Sequence, residues 1–439
     1  MARSNLLKNQ IAKIAFSSFS IKILSLSISF LINVFLARLL GTSDYGTYVY
    51  AIAWVGFLII PASLGLNEYL VREVAAHQQH FNKQLPNPEL SRLNGLLRWS
   101  NHVSVLLSVG IALLTAFIIW ILHPNATAKV SIVLWMTLAS MPFSVLTMLR
   151  QGTLRGLNRV LIGELPEQLI RPILFAVFVG IMYFLLKGDL NVYWVMGLYI
   201  LSIIAAFGIG AELLRRTLPA SVKQATPTYN TPTWFKGTLP FLSIVGLYVI
   251  NQQTDVLMLG TMKGPEAAGI YTVVGRGVQL LQFILAAVCA AVGPTMVNHF
   301  TSERLDQLKK LVRGSSRLAF GASFLLTAAF VLFGKWFLMI FGVEFISGYS
   351  ALIILCVGHL LSSGLGMAGF LLLMTGYERD TAMATGATAV LNVVLNALLI
   401  PQFDLEGAAI ATATTLVLRG FIFLYFGCKR LKFAPSVFF

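Results

Sequence analysis

The feature that most restricts this chain is a succession of apolar runs, each about twenty residues or longer, repeated along its length. A run of that size, coiled as a helix rising 1.5 Å per residue, crosses ~30 Å of hydrocarbon. Only 11% of the residues are charged, whereas about 25% is usual for a chain that must coat itself in water. By the same ruler, spans are expected near 14–40, 46–70, 99–122, 128–149, 160–186 and 191–214. A second set follows near 238–260, 268–296, 315–340, 349–375, 381–401 and 405–428. Gly334 and Lys335 interrupt the apolar run 315–348 and place Trp336–Phe345 at the interface. The pattern predicts an all-α integral membrane protein of about twelve transmembrane helices.

The formal net charge of +15 does not point to nucleic acid, because the basic residues are dispersed among the apolar runs instead of gathered on one module. Their placement follows membrane topology. With the N-terminus inside, the cytoplasmic segments hold 23 Lys and Arg residues, among them Arg150, Arg155, Arg159, Lys309, Lys310 and Arg313. The opposite side holds four, Lys129, Lys187, Lys263 and Lys335, a bias of roughly six to one. The alternation survives every loop, which predicts an even number of spans with both termini cytoplasmic. Arg3, Lys8 and Lys13 precede an apolar run too long for a signal-peptide core, so an uncleaved first span is expected. The external connections are too short to fold a catalytic domain. Cys289, Cys356 and Cys428 lie in apolar stretches without ligand spacing, and the six histidines form no metal motif. Asn125–Ala126–Thr127 matches a glycosylation sequon, a pattern common enough to carry no weight.

Short motifs recur at one offset. Leu40–Gly41–Thr42 and Gly46–Thr47–Tyr48 return as Leu259–Gly260–Thr261 and Gly269–Ile270–Tyr271, while Gly156 returns as Gly376. Two related six-helix lobes around a central cavity would follow, 1–214 and 238–439, joined by a cytoplasmic linker at 215–237. Recurrent small-residue turns in any polytopic chain are the plainer reading of the same matches.

Ionisable residues inside spans cost about 2.5–3.5 kcal/mol each for Arg or Lys at a helix centre. Lys22, Arg171, Arg276 and Arg419 lie well inside spans, whereas Arg38 can snorkel from a span end. Glu68 and Arg72, four apart, read as a structural pair. Glu164, Glu167 and Arg171 share one helical face, with Glu167 placed to pair with Arg171 and with Pro166 and Pro172 to bend the helix. Asn251, Gln252, Gln253 and Asp255 form the most polar mid-span stretch, and Arg276, Gln279 and Gln282 a drifting polar stripe. Asn392 and Asn396 fit interhelical hydrogen bonding at least as well as a site. Each residue alone fits a structural ion pair as well as a substrate contact. Together they predict a polar interior with a cationic excess, suited to an anionic passenger such as a phosphate-bearing one.

Three stretches carry a family resemblance. Lys8–Asn9–Gln10 opens the chain, followed by Leu36–Ala37–Arg38–Leu39–Leu40–Gly41 and Asp44–Tyr45–Gly46–Thr47–Tyr48. Leu391–Asn392–Val393–Val394–Leu395–Asn396 runs into Leu399–Ile400–Pro401 and Gly407–Ala408–Ala409–Ile410–Ala411–Thr412. These resemble the lipid-linked polysaccharide flippases (the Wzx, or O-antigen transporter, type) of the multidrug/oligosaccharidyl-lipid/polysaccharide exporter superfamily. The resemblance implies twelve helices in two lobes around a cationic cavity. It implies an undecaprenyl-pyrophosphate-linked oligosaccharide moved from the inner to the outer leaflet of a bacterial cytoplasmic membrane. Membrane lipids, a polysaccharide polymerase and chain-length machinery would be its partners. Lys22, Arg171, Arg276 and Arg419 become candidate cavity cations, with Asn251, Gln252, Gln253 and Gln279 bonding sugar hydroxyls. Asp255, or the pair Glu164 and Glu167, would couple transport to a proton or sodium gradient; no cofactor or metal centre is expected.

A multidrug cation exporter of the same superfamily would centre on acids, and here the central cations outnumber them. The related peptidoglycan-precursor flippases have fourteen spans, two more than this count. A glycan polymerase or ligase would need a large external loop, and the sequence has none. Reporter fusions test the topology: a fluorescent protein fused after Phe439 should fold and fluoresce in the cytoplasm. Alkaline phosphatase inserted after Gly188 should be active outside.

Overall fold

The computed structural model describes the backbone of residues 2–78, 81, 87–122 and 129–431, and the side chains of these residues from 21 onward except at 122. The expected loop at 123–128 with its sequon, and the cytoplasmic Lys83 and Lys432, lie outside the described residues. Among those described, the chain is helical almost throughout. The first helices are α1 (Ala2–Ser63), α2 (Leu66–His77), α3 (Pro88–Leu122), α4 (Lys129–Leu138) and α5 (Met141–Gly156). Next come α6 (Val160–Leu165), a π-helical turn Pro166–Ile170, α7 (Arg171–Leu185), α8 (Val192–Thr217) and α9 (Ala220–Gln224). After α10 (Thr231–Met262), α11 (Pro265–Thr301) and α12 (Leu305–Met339) comes a 3-10 turn, Val343–Gly348. The chain closes with α13 (Tyr349–Gly364), α14 (Ala368–Met374) and α15 (Glu378–Leu431).

Ten helical stretches among the described residues are long and apolar enough to cross a membrane. Two are double. α1 is broken at Gly41 (φ 69°) and α15 at Asp404 (φ 47°), so each supplies two legs, and ten becomes twelve. The outward side chains are those a hydrocarbon solvent wants: Phe184 is 80% exposed, Leu106 73% and Leu332 73%. α8 begins where Asn191 accepts from the backbone N–H groups of Tyr193 and Trp194 at 3.1 and 3.2 Å, a cap that contributes about 1 kcal/mol.

Three expectations change. α12 runs unbroken through Gly334 and Lys335 to Met339, because Gly334 is needed small against the Tyr349 ring and Leu352 instead of acting as a breaker. Glu68 does not pair with Arg72. Its Oε1 accepts from Arg155 Nη1 on α5 at 3.1 Å, while Arg72 turns to Glu73 at 3.0 Å. The second span is also not one helix to residue 70. Leu64 (φ 50°) and Gly65 (φ 69°) break it, and α2 leaves along a new axis with Leu66, Tyr69, Leu70 and Val74 buried.

The chain forms two compact units, Met1–Leu40 with Ala51–Val249, and Gly41–Tyr50 with Ile250–Phe439. In the first, Leu66, Tyr69, Leu93, Leu96, Trp99 and Trp234 form a core at the ends of α2, α3 and α10. The segment 215–237 is built into that core: Val222 and Ala225 are buried there, Asn94 donates to the Ala225 carbonyl at 2.6 Å and Thr228 N–H to the Ser91 carbonyl at 3.1 Å. In the second, Met296, Leu308, Val312, Met367 and Leu371 join α11, α12 and α14.

The recurrent glycines of the second unit meet each other. A Cβ on Gly269 would stand 2.8 Å from the Gly46 Cα, and one on Gly46 would stand 2.0 Å from the Pro265 carbonyl oxygen. Between lipid-embedded helices close packing replaces the hydrophobic effect, so small residues decide where backbones touch. Gly46→Ala should cost about 1–3 kcal/mol, read as a lower unfolding temperature of the purified protein. Gly275→Ala, with nothing within 4 Å of its Cβ position, should leave that temperature unchanged.

Candidate functional site

α10 carries its polar stretch into the interior of the second unit. Asp255 there is 8% exposed. Its Oδ1 accepts from Asn396 Nδ2 at 2.8 Å, and its Oδ2 from the Tyr271 hydroxyl at 2.9 Å and the Thr412 hydroxyl at 2.6 Å. The partners come from α11 and from both legs of α15. Asn392 extends the network, donating to the hydroxyls of Thr412 at 3.0 Å and Thr415 at 3.4 Å, while its Oδ1 accepts from Asn396 at 3.0 Å. The Asn396 Oδ1 is buried with no hydrogen-bond partner among the described residues.

The geometry follows from helical spacing. Asn392 and Asn396 stand one turn apart on the first leg of α15, as do Thr412 and Thr415 on the second. The break at Asp404 folds the two legs together so that the amides meet the hydroxyls. Every group that bonds Asp255 among the described residues is a neutral hydroxyl or amide, so the carboxyl is held by donors and not by a countercharge. A cluster of carboxylate, amide and hydroxyl oxygens in a dry interior suits a proton or a small hard cation.

The cations are dealt out differently. Arg276 on α11 donates to Gln279 Oε1 at 3.3 Å and meets the Tyr45 hydroxyl. Arg419, on the second leg of α15, is half-buried with no acidic partner among the described residues, and His359 of α13 lies within its electrostatic reach. In the first unit, Arg171 is paired with Glu167 at 2.8 Å, as the spacing predicts, and reaches the Tyr199 hydroxyl at 3.4 Å. Lys22 is exposed on α1. Glu164 is buried, with its Oε2 lacking a hydrogen-bond partner among the described residues. Gln252 is exposed, and Asn251 and Gln253 are half-buried beside Asp255.

The site therefore joins Asp255 to residues that sequence reasoning placed elsewhere. Tyr271 stood out only as part of a repeat, and Asn392 and Asn396 as helix packing. Thr412 stood out only within a family motif. The available signal was the shared face of Asn392 and Asn396 opposite Thr412 and Thr415.

Twelve membrane-crossing helical legs among the described residues, with a polar cluster around one buried carboxyl and cations inside the spans, make the architecture of a multi-pass membrane protein. Its backbone is similar to that of a multidrug resistance MATE family transporter of the MOP superfamily in an inward-facing conformation. The TM-score is 0.73 at 16% identity, over 94% of each chain. It is also similar to the lipid II flippase MurJ in an inward closed conformation, with TM-score 0.68 at 13% identity, over 94% of this chain and 86% of that one. A MOP superfamily transporter from Pyrococcus furiosus gives 0.64 at 16% identity, over 95% of each chain. Residues 11–300 match the model of the polysaccharide biosynthesis protein family, and the chain belongs to that family. A relative in Haloferax volcanii, described as a probable low-salt glycan biosynthesis flippase Agl15, is 23% identical over 415 residues, 93% of this chain and 82% of that protein.

Asp255→Ala removes an acceptor from three buried donors at once. It should destabilise the purified protein by about 1–3 kcal/mol, measured as a fall in unfolding temperature. Tyr271→Phe, which removes one donor, should cost about 1 kcal/mol or less.

Proposed function

We propose that this protein flips a lipid-linked oligosaccharide across the membrane for surface polysaccharide synthesis, acting as a transporter and not as a catalyst. Family membership directs the reading to polysaccharide biosynthesis. The single observation that carries the anionic cargo is Arg419, a cation in a membrane span with no acidic partner among the described residues. Such a charge is costly in hydrocarbon unless water or an anion faces it, and a pyrophosphate supplies that anion. Lys22, Arg276 and Arg171 are proposed to act with it, and Asn251, Gln252, Gln253 and Gln279 to hydrogen-bond sugar hydroxyls.

In finer detail, the cargo would be an oligosaccharide repeat unit on undecaprenyl pyrophosphate. It would pass from the inner to the outer leaflet of a bacterial cytoplasmic membrane, with both protein termini inside. The product would feed O-antigen, capsule or exopolysaccharide assembly through a polymerase and its chain-length machinery. The lobes proposed to carry this out are 1–214 and 238–439. The Asp255 cluster is proposed as the coupling site, where a proton or sodium ion would replace the missing countercharge and meet the orphaned Asn396 Oδ1.

Complementation tests the reading. Wild-type protein expressed in a panel of strains lacking their own O-antigen flippase should restore surface glycan in at least one. Arg419→Ala and Arg276→Ala should lower it about tenfold or more at matched membrane levels, as expected for loss of a charge-assisted contact of about 1.5–3 kcal/mol. Asp255→Asn should bind cargo yet no longer respond to a cation gradient in vesicles. Restoration in no strain by well-inserted protein would overturn the proposal.

A further inference from the structure

The cations near the helix ends are handled differently in the two units. In the first, Arg72 is paired with Glu73, Arg155 with Glu68, and Arg215 and Arg216 with Glu212. Lys223 donates to the Arg215 carbonyl. In the second, Arg304, Lys309, Lys310, Arg313 and Arg317 fall within fourteen residues at the start of α12. None of the five stands in an ion pair among the described residues, and the Arg313 Nε is buried there without a hydrogen-bond partner. Glu303 and Asp306, the acids of the stretch, precede Lys309 and are likewise outside any ion pair among the described residues.

The cations share a face. Lys309, Arg313 and Arg317 follow at a spacing of four, and Lys310 and Arg317 at a spacing of seven, so they form one stripe along the helix. Leu308, Val312, Ser315, Ser316 and Ala319 fill the opposite face and are buried. Farther along α12 the stripe passes directly into bare apolar surface. Phe324 and Val331 continue the spacing of seven from Arg317, and beside them Leu318, Leu325 and Leu332 are 65%, 70% and 73% exposed. Cytoplasmic placement of basic residues accounts for cations anywhere in a loop; it does not require them to crown an exposed hydrocarbon-facing stripe. The opening turns of α3, also 35 residues long, are covered instead. Asn94 there donates to the Ala225 carbonyl, and a Cβ on Gly95 would stand 2.0 Å from the Thr228 carbonyl oxygen.

We propose that the Lys309, Lys310, Arg313 and Arg317 stripe of α12 is a binding site for an anionic phospholipid. Its phosphate lies against the guanidinium and ammonium groups, and its acyl chains run along Leu318, Leu325 and Leu332. Guanidinium groups match phosphate oxygens as planar forks, and the lysines add point charge. A soluble anion would use only the cationic end of this face, whereas an amphiphile uses all of it. The site shares no residue with the Asp255 cluster or with the candidate cargo cations, and it goes beyond the flippase reading without resting on it.

Native mass spectrometry of the purified full-length protein tests this, with phosphatidylglycerol and phosphatidylcholine of identical acyl chains added in turn. Wild type should retain phosphatidylglycerol in preference to phosphatidylcholine. Lys310→Gln/Arg313→Gln/Arg317→Gln should weaken phosphatidylglycerol binding about fivefold for each cation removed and leave phosphatidylcholine unchanged. Arg72→Gln/Arg215→Gln/Arg216→Gln removes as many cations from paired positions and should keep wild-type binding. Arg317→Gln alone, at an exposed position, should give the fivefold loss by itself if the triple variant folds poorly. Equal retention of the two lipids by wild type would overturn the proposal. So would equal losses in the α12 and paired-cation variants, or no loss in folded Arg317→Gln protein. Displacement of the lipid by an equal concentration of glycerol phosphate would also overturn it, by showing a site for soluble anions only. No cargo enters the measurement, so failure here and failure of the flippase reading are separable.

Discussion

In hydrocarbon no water stands ready to satisfy a backbone N–H or C=O, and that constraint shapes the rest of this protein. Irregular backbone is compressed to single residues at the sharpest turns. Gly41 and Asp404 each reverse a double span by one residue at positive φ, and Gly264 (φ 97°) sets the start of α11. Asp404 lacks glycine's freedom, and its turn is held from the connection between α10 and α11. Lys263 pairs with the Asp404 carboxylate and donates to the Pro401 carbonyl at 3.1 Å, meeting a group near the helix break. Tight turns bring neighbouring legs close, so the glycines beside them, Gly46 and Gly269, become contact points.

The same constraint acts on side chains, and the chain answers it in four ways. Arg171 has a countercharge in Glu167. Asp255 has neutral donors from three helices. Arg419 has no acidic partner among the described residues, and Glu164 retains an orphaned oxygen. The first arrangement balances its charge within one helix. The second encloses the carboxyl in a well-formed polar shell. The last two are incomplete among the described residues.

Much of the fold was legible because lipid makes hydropathy a length measurement. The twelve legs, the turns near Gly41, Lys263 and Pro401, and the Glu167–Arg171 pair follow from spacing along one helix. Gly334 and Lys335 misled because glycine in a lipid-embedded helix serves packing as often as it breaks the helix. Glu68 misled because the i,i+4 rule ranks only partners on its own helix, and Arg155 competed from another. Nothing local in 215–237 announces that Trp234 and Val222 are buried.

The sequence by itself determined the class of solvent, the helical content, the number of crossings and the family, because each depends on composition or on patterns within one helix. Tertiary structure alone decided which polar residues share a site. Asp255 and Thr412 are 157 positions apart and meet only because a one-residue break at Asp404 folds α15 back on itself. It also decided that Glu164 and Glu167, three residues apart, differ in setting, because Glu167 pairs with a guanidinium while the Glu164 Oε2 is buried without a hydrogen-bond partner among the described residues.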